Sequence, residues 1–66
     1  MTIRERISEA LRQEPNGLTY AQLAARLDAN EPSVRRAVKQ SMVPAGEVYF
    51  DRYADSTGTD MVWKRR

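Results

Sequence analysis

The chain has 66 residues, 11 basic and 9 acidic, with no cysteine and no histidine. A chain this short supports one hydrophobic core of modest size, so residues 1–66 are read as a single domain. The composition excludes a disulfide framework, thiolate metal sites, cysteine nucleophiles and imidazole acid–base chemistry, while a net charge of +2 by itself names no partner.

Met1-Thr2-Ile3-Arg4-Glu5 alternates charge with apolar side chains instead of building a signal-type apolar region. No apolar run approaches the ~20 residues needed to span a bilayer. The expectation is a cytoplasmic protein with no membrane contact.

Residues 2–13 have the pattern of a first helix. Ile3, Ile7, Ala10 and Leu11 share one face of a 3.6-residue period, and Thr2 with Glu5 has capping-box spacing. Pro15-Asn16-Gly17 ends it with turn chemistry. A second helix is predicted over 20–27. Thr19 and Gln22 form another capping box, Leu18 and Leu23 have staple spacing, and Tyr20, Leu23, Ala24 and Leu27 make the buried stripe.

A third helix is predicted over 31–41, capped by Asn30 and with Pro32 in its first turn. Val34, Ala37 and Val38 mark its buried side. At about 100° per residue Arg36 and Lys39 lie opposite, flanked by Ser33, Arg35 and Gln40. Pro44 and Gly46 end the helical part. Residues 47–64 then read as a β-hairpin, with strands near 47–53 and 61–64 around the turn cluster Asp55-Ser56-Thr57-Gly58-Thr59. Val48, Phe50 and Trp63 are its expected inward contacts, because an isolated hairpin is marginal and must pack on something.

Charge is unevenly distributed. Residues 33–40 carry Arg35, Arg36 and Lys39 without an acid, and Lys64-Arg65-Arg66 is a second cluster of three cations. Residues 1–32 hold four arginines against five acids. Residues 41–63 hold Arg52 against Glu47, Asp51, Asp55 and Asp60. The +2 is the remainder of two basic clusters set against an acidic hairpin.

The stretch from Leu18 to Leu27, followed by Asp28-Ala29-Asn30-Glu31-Pro32-Ser33-Val34-Arg35-Arg36-Ala37-Val38, resembles a winged helix-turn-helix DNA-binding domain. The resemblance is close over 18–40, with 2–13 as the preceding helix and 47–64 as the wing. It implies a mainly helical α+β fold of three helices and a C-terminal β-hairpin wing. It also implies double-stranded DNA as partner, met in the major groove by the third helix. The implied role is a small prokaryotic or phage transcriptional regulator. The DNA-contacting residues it implies are Ser33, Arg35, Arg36, Lys39 and Gln40, with Thr19 at the start of the second helix and Arg52 and Lys64 on the wing strands. A homodimer, or a larger protein reached through the wing, are further implied partners.

Two positions depart from the family pattern. Asp28 stands where the inter-helix turn usually has glycine, a role aspartate also fills in a left-handed conformation. The hairpin tip is acidic where many members carry arginine or lysine. That acidity keeps one alternative open, a winged-helix protein-interaction module; a second is a DNA-architecture, recombination or packaging factor, which uses the same third-helix surface.

Each motif also has a plainer reading. The third-helix cations can be a solvated face, Lys64-Arg65-Arg66 a frayed tail, and Tyr49, Tyr53 and Trp63 packing residues. No serine has a base partner or nucleophile-elbow glycines, and Asp51, Asp55 and Asp60 lack calcium-loop spacing. No catalytic residue, metal, cofactor or small-molecule substrate is therefore expected.

Overall fold

Each helix begins where a side chain can accept the first unpaired backbone N–H groups. The computed structural model describes residues 2–66; Met1, the first residue of the expected 1–66 unit, lies outside them. Helix α1 (Ile3–Gln13) starts at Thr2, whose Oγ1 accepts from the Glu5 N–H at 3.2 Å while the Glu5 carboxylate accepts from the Thr2 N–H at 3.3 Å. Helix α2 (Tyr20–Leu27) repeats the device with Thr19 and Gln22, at 3.2 and 2.9 Å. Helix α3 (Glu31–Ala37) starts at Asn30, whose Oδ1 accepts from the Ser33 N–H at 2.9 Å. A side-chain cap of this kind contributes about 1 kcal/mol.

Between α2 and α3 the chain reverses through Asp28, the one described non-glycine residue in the left-handed region (φ 53°, ψ 44°). The turn lets the Ala29 N–H reach back to the Ala24 carbonyl at 3.0 Å. A short polar side chain makes this conformation accessible without glycine, as expected.

The third helix departs from the uniform 31–41 prediction. It is α-helical to Ala37 and continues as a π-helical turn over Val38–Met42, closed by the Val43 N–H on the Val38 carbonyl at 2.9 Å. Val34, Val38 and Met42 are all fully buried. At an α-helical period, residues four apart drift around the axis. The wider i→i+5 turn winds more slowly, which offsets that drift and leaves Met42 on the buried side with Val34 and Val38.

Three strands form one antiparallel sheet in the order β1–β3–β2, with β1 (Leu18–Thr19), β2 (Val48–Tyr53) and β3 (Met61–Arg65). Strand β1 is absent from the sequence reading; it pairs Leu18 with Trp63 and Thr19 with Val62. The predicted hairpin is present, in the register Val48–Arg65, Tyr49–Lys64 and Phe50–Trp63, then Arg52–Val62 and Tyr53–Met61. The register shift between Phe50 and Arg52 leaves Asp51 as the extra residue of a bulge.

The core lies between the helices and one face of the sheet: Ile7, Leu11, Leu23, Val34, Val38, Met42, Val48 and Trp63 with smaller neighbours. Val48 and Trp63 point inward as expected. Phe50 shares their face and meets Trp63 edge-on, with ring centroids 6.1 Å apart, but it is not buried as expected and stays 39% exposed. On β2 only Val48 is buried, because the short helices cover the open end of the hairpin and leave the rest overhanging. No described helix is long and apolar enough to cross a membrane.

The Tyr20 hydroxyl and Trp63 Nε1 are buried without a hydrogen-bond partner among the described residues. Burial pushes the Tyr20 pKa above its usual value of 10.0, against the opposing pull of the Trp63 N–H and the charge of Arg35. The folded state thus holds the neutral phenol. This contribution is complete below about pH 10 and is lost as pH rises through the raised value. Tyr20→Phe removes an unsatisfied buried group, so chemical denaturation is expected to show unchanged or higher stability at pH 7, within about 1 kcal/mol. The variant is also expected to lose less stability than wild type above pH 10.

Candidate nucleic-acid interface

Helix α3 and its π-helical continuation bury Val34, Val38 and Met42 and leave Ser33, Arg35, Arg36, Lys39 and Gln40 exposed. These five positions singled out from the sequence, Lys39 and Gln40 on the π-helical turn and the other three on α3, therefore share one solvent-facing surface. They differ in how free they are. Arg35 pairs with Glu31 at 3.2 Å and its guanidinium carbon lies 5.2 Å from the centroid of the Tyr20 ring, so it fastens α3 to the start of α2. Arg36 and Lys39 have no ion-pair or side-chain hydrogen-bond partner among the described residues. Two unneutralised cations one turn apart suit an anion presented along the helix.

The other three positions lie elsewhere. Thr19 is 7% exposed and its hydroxyl oxygen is engaged as the α2 cap. Arg52 donates to the Asn16 carbonyl at 3.1 Å and to Asp51 at 2.7 Å, which draws it toward the α1–β1 turn. Lys64 Nζ lies 3.6 Å from the same Asp51 carboxylate. The Arg52 hydrogen bond, with help from the Lys64 charge, holds the Asp51 carboxyl below its usual pKa. The bulge residue thus neutralises both hairpin cations in part, and neither joins the free pair on α3.

The hairpin tip is built around a carboxylate. Asp55 Oδ1 accepts from the backbone N–H groups of Thr59 and Asp60 at 3.0 and 3.1 Å, and Oδ2 accepts from the hydroxyls of Thr57 and Thr59. These bonds, the Thr57 and Thr59 hydroxyls first, hold the Asp55 carboxyl far below the usual carboxylate range. The negative charge of the tip is therefore part of its architecture. Because the folded pKa is depressed, the stability that the charged turn contributes is complete above about pH 4 and is lost as pH falls from there through the depressed value. In an NMR titration the Thr59 and Asp60 amide signals are expected to stay fixed from pH 7 to about 4 and to move below that. Movement centred near or above pH 4 would contradict the bonding.

Next to this acidic tip the hairpin exposes two aromatic rings. Phe50 and Tyr53 pack with ring centroids 4.9 Å apart and planes tilted by 59°, and Tyr53 is 49% exposed. Sequence reasoning assigned them to packing and missed the overhang, which depends on how far the helices reach.

A second basic cluster lies at the other end of the sheet. Lys64 and Arg65 are inside β3, and the Arg66 N–H donates to the Glu47 carbonyl at 2.9 Å, so the three cations are strand-held and not frayed. They line a groove of about 380 Å³ with Arg12 from the end of α1. Arg12 lies outside the apolar stripe of its helix. Its juxtaposition with Arg65 is a tertiary contact without a local signal.

No group of three or more aspartate or glutamate side chains that could hold a metal ion occurs among the described residues. Comparison with known proteins returned no match to any protein-family description, curated protein or solved structure.

Proposed function

We propose that this protein is a winged helix-turn-helix domain that binds double-stranded DNA, with α3 as the helix that enters the major groove and the β2–β3 hairpin as the wing. The observation that carries this reading is the pair Arg36 and Lys39, exposed and unneutralised on a helix whose flanking positions, Ser33 and Gln40, supply further hydrogen-bonding groups. Support comes from the left-handed Asp28 turn between two short helices and from the antiparallel hairpin that follows them. In this reading Arg36 and Lys39 contact phosphates and base edges directly, and Arg35 sets the angle of α3 through its contact with Tyr20. Asp55 and Asp60 keep the wing tip off the phosphates. The role is that of a small non-enzymatic regulator, acting as a dimer or in tandem, since one module reads few base pairs.

Fluorescence anisotropy with a labelled duplex tests the proposal: affinity must fall linearly with salt on logarithmic axes. The exposed Phe50–Tyr53 pair beside an acidic tip favours one second reading, a protein-interaction module that uses the wing. Absence of duplex binding even at about 50 mM salt would select it.

A further inference from the structure

We infer that the groove between the end of α1 and the open end of the hairpin is a second phosphate-binding surface, separate from α3, that grips the backbone of duplex DNA. The inference rests on the DNA-binding reading above and extends it to a part of the molecule that α3 does not reach. No α3 residue lines the groove; its cations are Arg12, Lys64, Arg65 and Arg66. Its one side-chain carboxylate, Glu14, is already bound to Arg26 at 2.6 Å. Arg65 and Arg66 have no ion-pair partner among the described residues.

The groove is also organised in advance. Arg66 is held by its backbone bond to Glu47, and its guanidinium carbon sits 5.4 Å from the centroid of the Tyr49 ring. Arg12 is steadied by Glu9 at 2.6 Å. Ordering these long side chains therefore costs less on binding than it does on a mobile tail. The adjoining surface is self-neutralising, with Arg4 bound to Glu47 and Arg12 to Glu9, so the unpaired positive charge of the groove is that of Arg65 and Arg66.

The chemistry favours phosphate over an acidic peptide. The two unpaired cations, Arg65 and Arg66, are guanidinium forks, which match phosphate oxygens two at a time, whereas the Arg12 fork is engaged by Glu9 through Nε and Nη2 at 3.1 and 2.6 Å. The apolar lining is limited to the nearly covered Leu11, Pro15 and half-buried Tyr49, little surface on which an apolar peptide side chain could be anchored.

The test uses Arg65→Gln/Arg66→Gln beside Arg36→Ala/Lys39→Ala, on one 30-base-pair duplex across a salt series. It is paired with an NMR titration of the wild type with pyrophosphate and, separately, with a ten-residue polyglutamate peptide. The glutamine pair is expected to lower the salt slope by about two and to weaken binding roughly tenfold for every sequence tried, leaving base preference intact. Pyrophosphate is expected to shift the amides of residues 12 and 64–66. An unchanged salt slope in the glutamine pair, with normal wild-type binding, would overturn the groove and leave the α3 reading standing. Tighter binding of polyglutamate than of the duplex at these residues would overturn it in favour of a protein partner. Conversely, duplex binding abolished by the glutamine pair and untouched by Arg36→Ala/Lys39→Ala would support the groove and remove α3.

Discussion

Replacing Arg36 and Lys39 together with alanine is expected to weaken duplex binding roughly 30-fold near physiological salt, at about 1 kcal/mol per lost contact, and to flatten the salt dependence by about two phosphates. The physical basis is that these two cations are exposed and unpaired, so nothing in the protein offsets their loss. Arg35→Ala makes a useful contrast. Arg35 is shared between Glu31 and the Tyr20 ring, so its removal is expected to cost some α2–α3 rigidity and to change the salt slope by less than one. Thermal stability should barely move in the Arg36/Lys39 variant, since exposed substitutions away from caps and cores are usually worth within about 0.5 kcal/mol. An affinity unchanged by the double substitution would exclude α3 as the contacting helix.

The second large effect is on the fold. Gly17→Ala is expected to destabilise the chain by about 2–4 kcal/mol, combining left-handed strain with overpacking. Gly17 has φ +87°, and a Cβ there would lie 2.7 Å from Val62 Cγ1 and 2.8 Å from the Trp63 carbonyl oxygen. The backbone carbonyl cannot move without breaking the pairing of β1 with β3. Total stability for a chain of this size is about 3–10 kcal/mol, so the variant is expected to melt at least 10 °C lower in a calorimetric or circular-dichroism scan. Gly46→Ala is the control: its φ of +73° is also left-handed, but no atom lies within 4 Å of the added Cβ. It should therefore cost only the strain part, about 1–2 kcal/mol. Equal losses at the two positions would show that close packing at Gly17 is not what makes glycine necessary.

The two cases differ in how visible they are in sequence. Pro15-Asn16-Gly17 announces a turn, yet nothing local says that Gly17 must let β3 approach. The partner atoms are about 45 positions away in the chain. Strand β1 escapes notice for the same reason: two residues have no detectable alternation, and Leu18-Thr19 reads equally well as staple and cap. Both roles are in fact held at once, since Thr19 caps α2 and pairs with Val62.

The candidate interface divides along the same line. Which face of α3 is wet follows from Val34 and Val38 alone, so Ser33, Arg35, Arg36, Lys39 and Gln40 were readable as one surface. Which of those cations is free was not readable, because it depends on Tyr20 and Glu31 lying where they can occupy Arg35. On the hairpin, the bulge at Asp51 brings one carboxylate to both Arg52 and Lys64, a consequence of register that a count of charges cannot supply.

By itself the amino-acid sequence determined where the helices start and turn, because caps, the Asp28 reversal and apolar periodicity are interactions within a few residues. It also determined that positive charge gathers on α3 and at the C-terminal strand. Only the tertiary structure decided the third sheet strand, the π-helical turn that leaves Met42 on the buried side with Val34 and Val38, the overhang that exposes Phe50, and the meeting of Arg12 with Arg65 and Arg66. Each of these depends on which distant element supplies the buried surface or the opposing charge. The net charge of +2 is thus uninformative as a sum and specific in its placement, with one cationic surface on the third helix and another in the groove beside α1.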